Sequence, residues 1–318
     1  MRYYYFNPVS KQYFFPDGFN KYPVFATFYK PYRFITKAIW KLWRTSHFFR
    51  NLFHTDEIGK YIPIENIQEH LPGDSIMAFH IGGAGSRNKI NVLSVDAHTR
   101  EIHFTKYATT PEVSISVLNE GFILEQLKHL PFVPQLQLHA GENDSCAFIR
   151  TTVFEGRKMK YVPGDKQVTN ILETLSGQNI KCRINYRSGL KTCFAHGDFC
   201  PWNMFYCNKV VKIFDWEMAG MYPLGYDLFT YIFQYEFLVN RRWRFDEILE
   251  ENNAFFQEYF SYHGVVDWLP FLREFTEIRY KLESEKRTES LVKAYRKLKE
   301  HINKGQPLNK QMPGNGNY

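Results

Sequence analysis

The chain has 318 residues, enough for one large domain or two lobes with sizeable cores. Hydrophobic residues make up 44% and charged residues 23%, a balance that suits a globular protein, and no apolar run approaches the roughly 20 residues of a spanning helix. Five cysteines without CxxC spacing (Cys146, Cys182, Cys193, Cys200, Cys207) and no visible secretory leader point to reduced thiols in a cytoplasmic setting.

The net charge of +7 is unevenly spread. Residues 1–54 hold nine basic side chains against Asp17 alone, a net +8, so the rest of the chain carries −1. Basicity is therefore a property of this N-terminal segment and not of the whole fold. The segment is rich in Tyr, Phe and Trp and shows no clear strand alternation before about Tyr32. From Ile35 to Phe53 a helical period places Ile35, Ile39, Leu42, Trp43, Phe49 and Phe53 on one side and Lys37, Lys41 and Arg44 on the other. Two readings fit: the apolar face packs on the fold, or it lies on an anionic bilayer at the inner face of a membrane.

After Pro72-Gly73 the pattern changes to short strands. Residues 75–82 run into Gly83-Ala84-Gly85-Ser86, residues 89–96 alternate with period two, and residues 101–108 follow a four-residue turn. This predicts a β-meander. Thr110-Pro111-Glu112 predicts a helix start, with a hydroxyl cap, proline at the first position and an acid in the first turn. That helix runs to about Leu130, and two further strands bring the chain to a hinge near Phe154–Arg157. Beyond it the sequence is mainly helical, with candidates at 166–176, 224–240, 245–262 and 267–303 and a polar tail at 305–318.

Residues 194–220, FAHGDFCPWNMFYCNKVVKIFDWEMAG, carry the strongest chemical signal. Asp198 follows an apolar run, where a carboxylate is placed to accept a hydroxyl proton. Asn203 lies five residues on, across a tight loop containing Pro201, and its amide oxygen suits a hard cation. Asp215 closes the apolar strand VVKIF. A hairpin through Asn208-Lys209 predicts that Asp215 returns beside Asn203, so that the two act as metal ligands with the base alongside. Any one of these residues is ordinarily a cap or a turn former. Their joint spacing between strands is what points to catalysis.

HGDFCPWN followed by FDWE resembles the aminoglycoside phosphotransferase and choline kinase superfamily, of protein-kinase-like fold, and not the protein kinases themselves. Gly197 stands where protein kinases place an arginine, and Trp216-Glu217 stands in place of Phe-Gly. YPLGYDLF at 222–229 resembles the start of the family's next helix, where Asp227 is expected to brace the catalytic loop. The resemblance covers about residues 75–300. The first seventy-odd residues have no counterpart in it, and the stretch of about forty residues before His196 is short for the family.

The resemblance implies an α+β fold of two lobes, an antiparallel N-terminal sheet with one helix and a mainly helical C-terminal lobe. The corresponding boundaries are a basic aromatic extension at 1–72, a nucleotide-binding lobe at 73–156, a catalytic lobe at 157–304 and the tail. It implies transfer of the γ-phosphoryl group of ATP, or of GTP, to a hydroxyl of a sugar, glycolipid or amino alcohol, with Mg²⁺. Catalytic roles fall to Asp198, Asn203 and Asp215, the metal to Asn203 and Asp215. The nucleotide falls to Gly83, Gly85, Ser86 and Lys106, with Glu120 orienting that lysine and Glu125 as the runner-up. His196 is expected to hold the loop, Cys200 to fill space, Glu217 to assist the metal or form a salt link, and Arg87 to touch a phosphate or face solvent. A protein kinase and a nucleotide-binding module without turnover are the rival classes; a nucleic-acid partner is not expected.

Overall fold

The computed structural model describes residues 2–6, 12–29, 34–71, 73–82, 89–143, 146–154, 156–286 and 288–304. The chain divides into two compact units. The first comprises 1–156 together with 212–217, and the second 157–211 together with 218–318.

The first unit begins with β1 (Tyr3–Phe6) and β2 (Tyr13–Pro16), then α1 (Phe25–Phe28), α2 (Phe34–Thr45), α3 (His47–Asn51), β3 (His54–Thr55) and α4 (Ile64–Gln68). It continues through β4 (Ser75–Ile81), β5 (Lys89–Asp96), β6 (Ile102–Ala108), α5 (Pro111–Leu127), β7 (Leu136–Asn143) and β8 (Cys146–Thr152). The eight strands form one antiparallel sheet ordered β3-β1-β2-β4-β5-β6-β8-β7. Its alternating side chains feed two cores. Tyr3, Phe14, Met77, Phe79, Ile90 and Val92 join one, which also takes Ile58, Ile62, Ile67 and Leu71. Tyr4, Phe6, Phe15, Ala78, Leu93 and Val95 join the other, with Trp40 and Trp43 of α2.

These strands correct two expectations. The segment 1–72 is not an appendage with a helix; it supplies three strands of the sheet and covers parts of it. The strands escaped notice because a strand buried on both faces reads as a continuous apolar run without alternation. The single helix expected at 35–53 is two helices, with Ser46 capping α3 by accepting from the Phe49 amide. Trp40 and Trp43 turn inward, whereas Ile35, Ile39 and Leu42, placed with Trp43 on one apolar face by the period, are exposed.

α5 starts as its sequence dictates, with the Thr110 hydroxyl accepting from the Val113 amide and Pro111 in the first turn. It closes tightly on β8, because a Cβ at Gly121 would stand 3.1 Å from Ile149. Segment 212–217, assigned from sequence to the catalytic lobe, belongs to the first unit. The Ile213 amide donates to the Phe132 carbonyl at 2.8 Å, and Asn119 of α5 donates to the Glu217 carbonyl at 3.0 Å.

The second unit contains β9 (Arg157–Lys158), α6 (Lys166–Ser176), β10 (Ile184–Asn185), β11 (Thr192–Ala195) and β12 (Met204–Cys207). β13 (Val210–Ile213) starts in it, followed by β14 (Gly220–Pro223), α7 (Tyr226–Tyr235), α8 (Phe245–Tyr262), α9 (Leu269–Glu285) and α10 (Glu289–Asn303). Two small sheets, ordered β10-β14-β11 and β13-β12-β9, hold the loop that follows β11. Beneath them α7 is buried almost throughout, and Phe229 packs against Phe256, Phe260 and Phe275. The helix expected across 267–303 is the pair α9 and α10.

Candidate active site

In the first unit, Lys106 lies on β6 and its ammonium reaches Glu120 Oε2 of α5 and Asp215 Oδ1, both at 2.5 Å. Lysine and glutamate are both nearly inaccessible. Glu120 uses its other oxygen to accept from the Trp216 amide at 3.3 Å. Both of its oxygens therefore have partners, and the helix is tied to the Asp215 segment. Glu125 points elsewhere, to Lys128 at 2.7 Å on the surface. Burial works against the Lys106 ammonium, but Asp215 and Glu120 outweigh it and hold its pKa above the ordinary lysine value. Burial raises the Glu120 carboxyl, and Lys106 opposes that shift.

A second lysine enters this cluster. Lys89, the first residue of β5, places its ammonium 2.5 Å from Glu217 Oε2 and 3.3 Å from Asp215 Oδ1. Carboxylate oxygens of Glu120, Asp215 and Glu217 all lie within 4.8 Å of one another. Like charges this close are tolerated because two ammoniums sit among them. The donor set is all oxygen, the kind a hard cation selects, and it already stabilises positive charge. Asp215 also has φ +72°, a left-handed conformation costly for a residue with a Cβ. This part of the chain therefore fits a bound Mg²⁺.

In the second unit, β11 ends at Ala195 and the loop turns through Gly197, with φ +82°. A Cβ there would come within 2.2 Å of the Met218 carbonyl oxygen, so backbone packing excludes any side chain, arginine included. The buried Asp227 carboxylate accepts from the His196 amide at 2.6 Å and the Gly197 amide at 2.9 Å. Burial pushes the Asp227 carboxyl up to about 7, although those two amides favour its ionised form. The next residue, Asp198, is half-buried. Its amide donates to His196 Nδ1 at 3.2 Å, which ties His196 into the loop.

A 3-10 turn over Pro201–Asn203 brings the Asn203 amide nitrogen back to Asp198. It donates to the Asp198 carbonyl at 2.9 Å and to Asp198 Oδ2 at 3.0 Å. With its donors turned to Asp198, the Asn203 carbonyl oxygen is the atom suited to a cation. The Cys200 thiol lies 3.6 Å from Asp198 Oδ1, and burial pushes its pKa well up, which suits a filler and not a nucleophile. Asn208 and Lys209 both have positive φ, as a two-residue hairpin turn between β12 and β13 requires.

Lys106, Glu120 and Asp215 thus meet in one unit, while Asp198 and Asn203 meet in the other. Gly83, Gly85, Ser86 and Arg87 lie outside the described residues. The residue that sequence reasoning missed is Lys89, whose place follows from the strand register. Lys106 pairs with Asn91 across the β5–β6 ladder, so Lys89, two positions earlier, shares its face.

Residues 175–271 match the model of the phosphotransferase enzyme family. A search of curated proteins finds no significant match. Among solved structures, amicoumacin kinase hAmiN in complex with AMP-PNP, Ca²⁺ and Ami aligns with a TM-score of 0.52 and 13% identity, over 77% of this chain and 95% of that one. A thermostable mutant of aminoglycoside phosphotransferase APH(4)-Ia, in a ternary complex with AMP-PNP and hygromycin B, aligns with a TM-score of 0.53 and 8% identity, over 77% and 100%. A further structure of APH(4)-Ia gives 0.52 and 7%, over 77% and 98%. At such identities the likeness is one of fold: an antiparallel sheet lobe followed by a helical part. The family match spans Asp198, Asn203, Asp215 and Asp227.

Proposed function

We propose that this chain is a member of the aminoglycoside-phosphotransferase and protein-kinase-like superfamily and transfers the γ-phosphoryl group of ATP to a hydroxyl of a small non-protein acceptor. The observation that carries this reading is the Lys106 ammonium clamped between Glu120 and Asp215. A buried lysine so fixed presents a charge that does not have to be reorganised when phosphates arrive. AMP-PNP in the amicoumacin kinase and APH(4)-Ia complexes supports the adenine nucleotide; GTP is the alternative donor.

In this reading Lys106 orients the α- and β-phosphates and Glu120 fixes the lysine. Asp198 takes the proton of the acceptor hydroxyl, and its carboxylate is held in position by the Asn203 amide. Asn203 and Asp215 would hold Mg²⁺, which would supply charge neutralisation to the phosphates when bound. Gly83, Gly85 and Ser86 are assigned to the phosphate-covering turn. The backbone contact at Gly197 weighs against a protein kinase, since that class reads its phosphorylated loop with an arginine at this place.

Sugars, glycolipids and amino alcohols are the acceptor classes the reading admits. Transfer from γ-labelled ATP to panels of each tests it. Labelled acceptor in one panel is expected. Nucleotide binding without transfer to any acceptor would favour a binding module, and absence of nucleotide binding would overturn the reading.

Peripheral contact with an anionic membrane is part of the same proposal. No helix among the described residues is long and apolar enough to cross a membrane. Ile35 (71% exposed), Ile39 and Leu42 on α2, with Phe48 (76%) on α3, leave apolar surface uncovered. They lie in a stretch, 18–55, without a single acidic residue. Lys37 and Lys41 are exposed on the same helix, and near an anionic bilayer each contributes on the order of 1 kcal/mol. Reversing Lys37, Lys41 and Arg44 to glutamate is expected to abolish sedimentation with anionic vesicles with little change in melting temperature. Wild-type protein that never sediments at physiological salt would remove the membrane from the proposal.

A further inference from the structure

Lys89 is not part of the expected catalytic set, yet its ammonium is placed among the set's carboxylates. Two ammoniums, Lys89 at 3.3 Å and Lys106 at 2.5 Å, share one oxygen, Asp215 Oδ1. They are not equivalent. Lys106 is mid-strand, 5% exposed, and bound to a helix glutamate that is itself buried. Lys89 is the first residue of β5, 17% exposed, and its second partner, Glu217, is likewise half-buried. Among the described residues, three carboxylates meet two ammoniums here. A metal–nucleotide complex brings both a cation that needs Asp215 and phosphates that need cations. Lys106 cannot leave without taking its ammonium from Glu120, a buried carboxylate. Lys89 can move by rotating its four-carbon side chain toward solvent.

We infer that Lys89 is a second phosphate-binding lysine, held on Asp215 and Glu217 while the nucleotide is absent. On Asp215 its ammonium supplies positive charge of the kind a metal would bring. On binding, its ammonium leaves Asp215 Oδ1 and pairs with a phosphate oxygen of the nucleotide. Glu217 is its tether and sets where the ammonium waits. This rests on the phosphotransferase reading, and it gives Lys89 two effects of opposite sign. Lys89 opposes binding of a bare divalent cation and favours binding of a bare nucleotide.

The test measures both by titration calorimetry on the full chain, without turnover. Mn²⁺ alone is titrated into wild type, Lys89→Met and Lys89→Arg, and ATP is titrated in the presence of EDTA. Lys89→Met is expected to bind Mn²⁺ severalfold more tightly and metal-free ATP about tenfold more weakly, the loss of one charge-assisted hydrogen bond. Lys89→Arg keeps the charge and is expected to recover ATP affinity to within a few fold. Thermal melts establish that each variant is folded, and the arginine variant serves if the methionine variant is not. A lysine that merely braces the strand end would shift the melting temperature and move neither affinity. Unchanged metal-free ATP binding in Lys89→Met, or Mn²⁺ binding no tighter than wild type, overturns the inference. If Lys89→Met does not fold, Mn²⁺ and ATP affinities of Lys89→Arg that both depart from wild type in the same direction overturn it as well. Failure of wild type to bind ATP at all would instead remove the phosphotransferase reading.

Discussion

The two units stabilise their candidate-site carboxylates by different means. In the first, Glu120, Asp215 and Glu217 are held by ammoniums, so charge is balanced by charge. In the second, Asp198 and Asp227 are held by N–H groups of Asn203, His196 and Gly197. An ion-paired cluster responds when a ligand brings charge of its own, because its partners can be exchanged. An amide-braced loop has nothing to exchange. It fixes position, which is what a proton acceptor beside a reacting hydroxyl needs.

The largest effect that sharpens this contrast is expected at Asp198. Asp198→Ala should lower phosphoryl transfer by roughly 10²–10⁴-fold while leaving Mg–ATP affinity within a few fold. Equal turnover in mutant and wild type would break the assignment. Asp215→Ala should act in the other sense, weakening Mg–ATP binding itself by at least about tenfold, because it removes the proposed metal ligand and the partner of two lysines. Unchanged calorimetric binding would show that the ion-paired cluster does not hold the metal.

A smaller effect is expected from coupling. Lys106→Ala and Glu120→Ala should each impair transfer, and the double variant should be little worse than Lys106→Ala, since the glutamate then has nothing to orient. A deficit equal to the sum of the two would dissolve the pair.

The smallest effect concerns the brace. With a folded pKa of about 7 against an ordinary 3.8, Asp227 keeps its proton in the folded chain where the unfolded chain has lost it. Its contribution to stability therefore falls as pH rises across that window and is flat above about 7. Asp227→Asn should be less stable than wild type, by about 1–3 kcal/mol for a disturbed buried acceptor. It should also show a shallower decline in melting temperature between pH 5 and 7. Parallel profiles would mean that Asp227 does not titrate in this range.

Much of the fold could be read locally. The strands at 75–81, 89–96 and 102–108 could be read from short apolar runs between turns, and Thr110-Pro111 and Asp165 announce helices through capping chemistry. The turn at Asn208-Lys209 was legible because few residues other than glycine tolerate positive φ as well as asparagine. The loop and the hairpin that carry Asp198, Asn203 and Asp215 could be read because five and seventeen positions of separation are spanned by short-range structures.

Legible in the amino-acid order is therefore whatever depends on neighbours along the chain: caps, turns, period and the spacing of Asp198, Asn203 and Asp215. Only the tertiary structure decided the rest, because those outcomes depend on partners far away in sequence. The pairing of β2 with β4 made the aromatic N-terminus part of the sheet, and Trp40 and Trp43 turned inward because a sheet face was there to cover. Glu120 rather than Glu125 reached Lys106 because α5 is docked on β8 through Gly121, which selects one face of the helix. Lys89 joined Asp215 across 126 positions, a separation at which no local pattern constrains a side chain and only the assembled sheet brings the charges together.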